Sequence, residues 1–246
     1  PGGIGAAMKT IGLIGGMSWE SSIEYYRLVN EEVKRQLGGL HSAQCLMYSV
    51  DFEEIERYQH QGDWQRATDV MIDAAQRLER GAADFVVICT NTMHKMADEV
   101  QAAIHIPLLH IVDATAKAVL SKGIHKVGLL GTRFTMEGDF YGGRLKTHGL
   151  EVVIPDFPDR EIVHRIIYQE LVLGKIQTSS RDEFQRIIQT LQQKGAEAIV
   201  LGCTEIGLLV KQEDNLLPVI DTTVVHALAA VDIALENKII EEFLPG

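Results

Sequence analysis

The chain has 246 residues, 46 % of them hydrophobic and 23 % charged, the make-up of one large globular domain or two small ones. Lys and Arg number 23 against 34 Asp and Glu, a formal charge of −11. So acidic a chain repels phosphate backbones and anionic lipid, which argues against nucleic acid and membrane as main partners and leaves room for a local basic pocket that takes a small anionic molecule.

No apolar run approaches the ~18 residues of a membrane helix. Residues 1–7 carry no basic stretch before an apolar core, so no signal peptide is read there. Met8-Lys9-Thr10 reads as a natural start and 1–7 as an appended tail. Cys45, Cys89 and Cys203 are odd in number and lie far apart. A disulfide framework or cysteine zinc site is not expected, and a reducing cytoplasm is.

In chain order, Thr10–Met17 predicts a buried strand ending in a glycine turn. Helical spacing follows over 20–37, then a strand over Gln44–Val50 and helical spacing over 64–80. Arg80–Thr90 is a helix end, a glycine stop and an apolar strand running into Cys89-Thr90. Helical spacing over 92–104 leads to a short strand after Pro107, then Asp113 and Thr115, residue types that cap helices.

The pattern then begins again. Lys126–Arg133 repeats the first strand, with Gly128 and Gly131 in the places of Gly12 and Gly15. Helical spacing covers 160–173 and 181–194. Lys194–Thr204 repeats Arg80–Thr90, and Pro218–Thr223 repeats Pro107–Thr115. A helix from about 222 has no third half to join and is expected to pack on the first lobe. Its end, from Lys238, keeps an apolar face.

Alternating β and α units imply parallel sheets covered by helices. The fold class is α/β: two pseudo-symmetric, doubly wound parallel-sheet lobes with the active site in the cleft between them. The expected first lobe is 8–113 with the C-terminal helix 222–243, and the second is 114–221. Open α/β sheets bind ligands beyond the carboxyl ends of their strands. Those ends carry Gly16-Met17-Ser18, Cys89-Thr90-Asn91-Thr92, Thr132-Arg133-Phe134-Thr135 and Cys203-Thr204-Glu205.

Each of these has a plain structural alternative. Gly12-Leu-Ile-Gly15-Gly16 lacks the third glycine of a dinucleotide fingerprint and reads as a tight turn. Cys203 is either a buried structural thiol or a base. In the second case backbone N–H groups of a following helix lower its pKa from ~8.5, with Glu205 opposing. Thr90-Asn91-Thr92 suits a bound carboxylate or a helix cap, and Thr132 with Thr135 repeats the choice. The histidines show no metal-ligand spacing, and GxSxG and P-loop motifs are absent. No metal is expected. His94 is read as a helix residue with a local hydrogen bond. Trp19, Tyr25 and Tyr26 are read as core or cleft wall, Tyr48 as cleft lining, and Cys45 as buried and inert.

Gly15-Gly16-Met17-Ser18, Asn91-Thr92-Met93-His94, Gly131-Thr132 and Gly202-Cys203-Thr204-Glu205, in this order over 8–235, resemble the aspartate/glutamate racemase superfamily. The resemblance is to its bacterial amino-acid racemases acting on acidic substrates. It implies a homodimer and racemisation without pyridoxal phosphate or any other cofactor. It also implies two facing cysteines that remove a proton from Cα and return one on the opposite face. The family reads Cys-Asn-Thr where this chain has Thr90-Asn91-Thr92. A gapless repeat alignment pairs Cys89 with Cys203, whereas the family register pairs Thr90 with Cys203.

The family register implies an asymmetric enzyme preferring the L-enantiomer, with catalytic Cys203 and Thr90. Met17, Tyr48, Asn91, Thr92, Thr132, Thr135, Thr204 and Glu205 are then expected to bind substrate. Lys175, Arg133 and Lys95 are open as partners of its side-chain carboxylate. The alternatives are a decarboxylase or cis-trans isomerase of small dicarboxylates from the same superfamily, and a two-lobed small-anion binding protein.

Overall fold

The computed structural model describes residues 8–245; residues 1–7, read above as an appended tail, lie outside the described residues. The chain divides into two compact units. One runs to Ile111 and takes in His226–Leu244; the other is Val112–Val225.

In the first unit, β1 (Ile11–Gly15), β2 (Cys45–Ser49), β3 (Phe85–Ile88) and β4 (Leu108–Leu109) form one parallel sheet in the order β2-β1-β3-β4. β1 is buried along its whole length, as an unbroken apolar run between two helical layers must be. The helices are α1 (Trp19–Leu37), α2 (Phe52–Gln61), α3 (Trp64–Arg80) and α4 (Ala97–Ala102). Ile14, Ile55, Met71, Ala74, Val86, Ile88, Met93 and Val100 meet in the core beneath α2, α3 and α4.

The second unit repeats the plan with β5 (Lys126–Gly131), β6 (Glu151–Val153), β7 (Ala198–Gly202) and β8 (Val219–Asp221), in the order β6-β5-β7-β8. Its helices are α5 (Ile111–Leu120), whose first residue is the last of the first unit, α6 (Arg133–Glu137), α7 (Asp139–Thr147), α8 (Phe157–Gln169), α9 (Thr178–Gln193) and α10 (Ile206–Leu209). α11 (Thr222–Ala234) begins here and continues into the first unit.

Several helices differ from their sequence patterns. The stretch 92–104 is a 3₁₀ segment, Thr92–Met96, followed by the short α4. α8 starts at Phe157, ahead of the expected 160, with Pro158 at a first-turn position where its missing N–H costs nothing. A 3₁₀ turn, Leu171–Leu173, completes that stretch. α2, α6 and α7 were not expected. α2 is mostly polar, yet Asp51 caps its first turn and Gly62 closes it in the left-handed conformation.

Asp113 is not a cap. It lies in the first turn of α5, where Nε and Nη2 of Arg144 each approach its carboxylate at 2.7 Å and His148 Nε2 lies at 2.8 Å. A buried carboxylate needs such partners, and they tie α5 to α7. Asp221 does serve as a cap, accepting the Thr223 N–H at 2.9 Å.

Among the described residues no helix is long and apolar enough to cross a membrane, and no group of His, Cys, Asp and Glu is arranged to hold a metal ion.

Candidate active site at the strand ends

Both sheets share one strand order, so each has a switch point between its two central strands, β1/β3 and β5/β7, where open α/β sheets bind ligands. Gly15–Ser18 and Cys89–Thr92 lie at the first, Gly131–Thr135 and Gly202–Glu205 at the second.

The pairing registers decide which residues correspond. Gly12 of β1 pairs with Val86, and its repeat counterpart Gly128 of β5 pairs with Ile199. Further along, Ile14 pairs with Ile88 and Leu130 with Leu201. Two residues beyond Ile88 is Thr90, and two beyond Leu201 is Cys203. Cys89 corresponds instead to Gly202, so the gapless sequence repeat is one residue out of structural register.

Burial follows the same division. Cys89 is fully buried, its thiol turned back to the Val87 carbonyl at 3.8 Å. Desolvation raises its pKa far above the ordinary thiol range. Thr90, next in the chain, is partly exposed.

In the second unit, Cys203 is 8 % exposed, with Sγ 3.1 Å from Oε2 of Glu205. The same carboxylate oxygen accepts the Thr204 hydroxyl at 2.7 Å. Burial, then the Glu205 charge, push the thiol well above its usual pKa. Backbone N–H groups of Glu205 and Ile206 donate to the sulfur and work the other way. The expected lowering of this pKa is therefore corrected. α10 has only four residues, and its amides do not outweigh desolvation beside a carboxylate. At rest the group is a thiol donating to Glu205, with two amides ready to hold a thiolate.

Thr132 caps α6, its hydroxyl accepting the Thr135 N–H at 3.3 Å and donating to the Thr135 hydroxyl at 3.3 Å. Arg133 N–H donates to His164 Nδ1 at 3.1 Å, and its guanidinium pairs with Glu161 at 3.4 Å.

In the first unit, Asn91 and Thr92 are buried at the start of the 3₁₀ segment. His94 Nδ1 lies 2.7 Å from the Thr90 carbonyl, the local bond expected of it, although it sits in 3₁₀ rather than α-helix. Gly16 takes φ +94°, and a Cβ there would lie 2.2 Å from the Val50 carbonyl oxygen. Only glycine fits this turn without displacing β2's exit. Ser22 fixes it further by accepting the Gly16 N–H at 2.7 Å. Neither Ser22 nor His164 was singled out in the sequence: a serine early in a helix and a histidine within one carry no distinguishing pattern.

Met17 packs into the core of the first unit. Tyr48 lies in β2, on the opposite side of β1 from β3, with the Arg77 guanidinium 5.2 Å from its ring centre. It lines a groove of about 390 Å³ with Asp51, Glu54, Asp69 and Asp73. Of the aromatic residues read as core or cleft wall, only Tyr25 is buried; Trp19 and Tyr26 are 62 % and 54 % exposed. Cys45 is half-buried rather than buried and lines a surface groove with Trp19, Tyr26 and Met47. Lys95 is exposed with its ammonium 5.1 Å from the Trp64 ring centre, and Lys175 is exposed just after the turn at Gly174.

The family model for Asp/Glu/hydantoin racemases matches residues 14–230. The broad specificity amino-acid racemase RacX of Bacillus subtilis (strain 168) is 28 % identical over 172 residues, 69 % of this chain and 73 % of that one. Among solved structures, a candidate Asp/Glu racemase of Yersinia pestis is 57 % identical, with a TM-score of 0.87 over 93 % of this chain and 100 % of the other. An aspartate racemase homologue from Pyrococcus horikoshii OT3 is 35 % identical, with a TM-score of 0.79 over 92 % and 99 %.

Proposed function

Because the chain belongs to the Asp/Glu/hydantoin racemase family, we propose that this isomerase racemises an acidic amino acid, aspartate or glutamate, without a cofactor and by proton transfer at Cα. The observation that carries the reading is the Cys203 sulfur, set between the Glu205 carboxylate and two backbone amides. Loss of the thiol proton to water, against the opposing Glu205 charge, leaves a thiolate held by the Glu205 and Ile206 N–H groups. That thiolate is a competent base for the Cα proton of the L-enantiomer.

Two-base racemisation also requires a proton donor on the opposite face of Cα. Thr90, the register counterpart of Cys203, is that donor. Its hydroxyl is a poor base and a slow acid, and it relays a proton from water. The Cα proton stays on sulfur while a solvent proton enters through Thr90, so inversion carries solvent hydrogen into the product. The carbanion's charge spreads to the substrate's α-carboxylate. Asn91, Thr92, Thr132, Thr135 and Thr204 are the donors proposed to meet it. Arg133, at the carboxyl end of β5 with its guanidinium paired to Glu161, is one candidate cation for the side-chain carboxylate. Lys175 and Lys95 remain open for that role.

One observation favours a second reading: only one of the two corresponding positions carries a thiol. A lone thiol acid suits decarboxylation of a disubstituted malonate. The deciding experiment incubates L- and D-amino acids and an arylmalonate in deuterated water without cofactor, followed by proton NMR. Loss of the Cα signal of L-aspartate or L-glutamate supports the racemase. Carbon dioxide release from the malonate with unchanged amino acids overturns it.

A further inference from the structure

His94 is 2 % exposed and lies four residues beyond Thr90. Both of its ring nitrogens face backbone groups of the first unit. Nδ1 is 2.7 Å from the Thr90 carbonyl oxygen, and Nε2 receives the Ile111 N–H at 3.2 Å. A nitrogen that accepts an amide proton carries none of its own. The partner at Nε2 therefore fixes the neutral tautomer with hydrogen on Nδ1, which donates to Thr90. The ring is also packed by imidazoles, 4.6 Å from that of His110 and 5.7 Å from that of His226. His226 is itself held by Tyr25 Oη at 2.8 Å and the Leu109 carbonyl at 2.9 Å.

Thr90 thus has its backbone fixed from two directions. Upstream, the Cys89 N–H bonds to the Ile14 carbonyl at 2.9 Å and anchors the chain to β1. Downstream, the imidazole takes the Thr90 carbonyl and ties it to the first residue of α5.

We propose that His94 is a positioning residue: its Nδ1–H grips the Thr90 carbonyl and so aims the Thr90 hydroxyl for its half of the reaction. This rests on the racemase reading above. Displacing a reacting group by about 1 Å costs on the order of a hundredfold in rate, so the grip controls the Thr90 side of the chemistry and leaves the Cys203 side alone.

Two substitutions separate the two nitrogens. Asparagine places an amide N–H near Nδ1 and keeps the bond to Thr90, whereas glutamine places an oxygen near Nε2 and keeps only the bond to Ile111. The measurement is Cα deuterium incorporation from each pure enantiomer, alongside the thermal midpoint. H94Q is expected to lose D-enantiomer exchange by about tenfold or more, with L-enantiomer exchange close to wild type. H94N is expected to retain most of both. Equal losses from the two enantiomers, or identical behaviour of the two variants, would overturn the positioning role. Absence of exchange in the wild type would instead overturn the racemase reading. Should either variant fail to fold, ¹⁵N spectra of the wild-type imidazoles decide: hydrogen on Nδ1 of His94 supports the proposal, and hydrogen on Nε2 refutes it.

Discussion

Thr90 and Cys203 hold the same place in their respective sheets, each two residues beyond the strand residue that pairs with the central strand at Ile14 or Leu130. Installing a thiol at the first of these places, Thr90→Cys, is expected to raise deuterium incorporation from the D-enantiomer by about 10²-fold, the lower end of what a well-placed base contributes. Cys89→Ala is expected to leave both exchange rates near wild type while costing about 1 kcal/mol of stability for a lost buried atom. If Cys89→Ala abolishes exchange and Thr90→Ala does not, the assignment of Thr90 is wrong.

Cys203→Ser is expected to lower L-enantiomer exchange by about 10²–10⁴-fold, with the fold retained by circular dichroism. Glu205 raises the Cys203 pKa, so activity that depends on the thiolate rises with pH toward the alkaline side. Glu205→Gln removes that charge and is expected to move the rising limb of the pH–rate profile to lower pH. A shift to higher pH would show that Glu205 serves chiefly as the thiol's proton acceptor.

The two buried thiols also make stability depend on pH. Cys89 and Cys203 both have raised pKa values in the folded chain, whereas an unfolded thiol ionises near about 8.5. Below that value both states are protonated and neither thiol contributes a slope. Above it the unfolded chain releases protons that the native state keeps. Stability then falls with rising pH, by up to about 1.4 kcal/mol per unit for each thiol. Urea titrations at successive pH values are expected to show this decline and to show it reduced in Cys89→Ala.

Gly16→Ala is expected to destabilise the first unit by about 2 kcal/mol or more. The added methyl meets the Val50 carbonyl in a backbone conformation that L-residues avoid. An unchanged urea midpoint would show that the turn can relax.

The two-sheet plan was legible because a duplicated sequence doubles each signal. Gly12-x-x-Gly15 and Gly128-x-x-Gly131 mark equivalent turns, and apolar runs bounded by glycine mark buried parallel strands. The register between the halves was not readable by aligning cysteines. Strand pairing sets it, and the Cys89/Cys203 match is a sequence coincidence one residue out of step. α2 escaped notice because its buried side chains are few and its cap residues also suit a turn. The thiol's raised pKa was missed because burial is a property of packing. The helix after Cys203 was visible in outline, but its four-residue length was not.

Unlike residues at matching positions have a thermodynamic corollary. Mirror-image amino acids have identical free energies in water, so their interconversion has an equilibrium constant of unity. The catalytic efficiencies of the forward and backward reactions must therefore be equal, whatever stands at residues 90 and 203. Unlike side chains at these two positions cannot make a racemase one-way. If the two positions act as proposed, the imprint is isotopic: hydrogen is swapped many times on one antipode with handedness retained before a single molecule turns over.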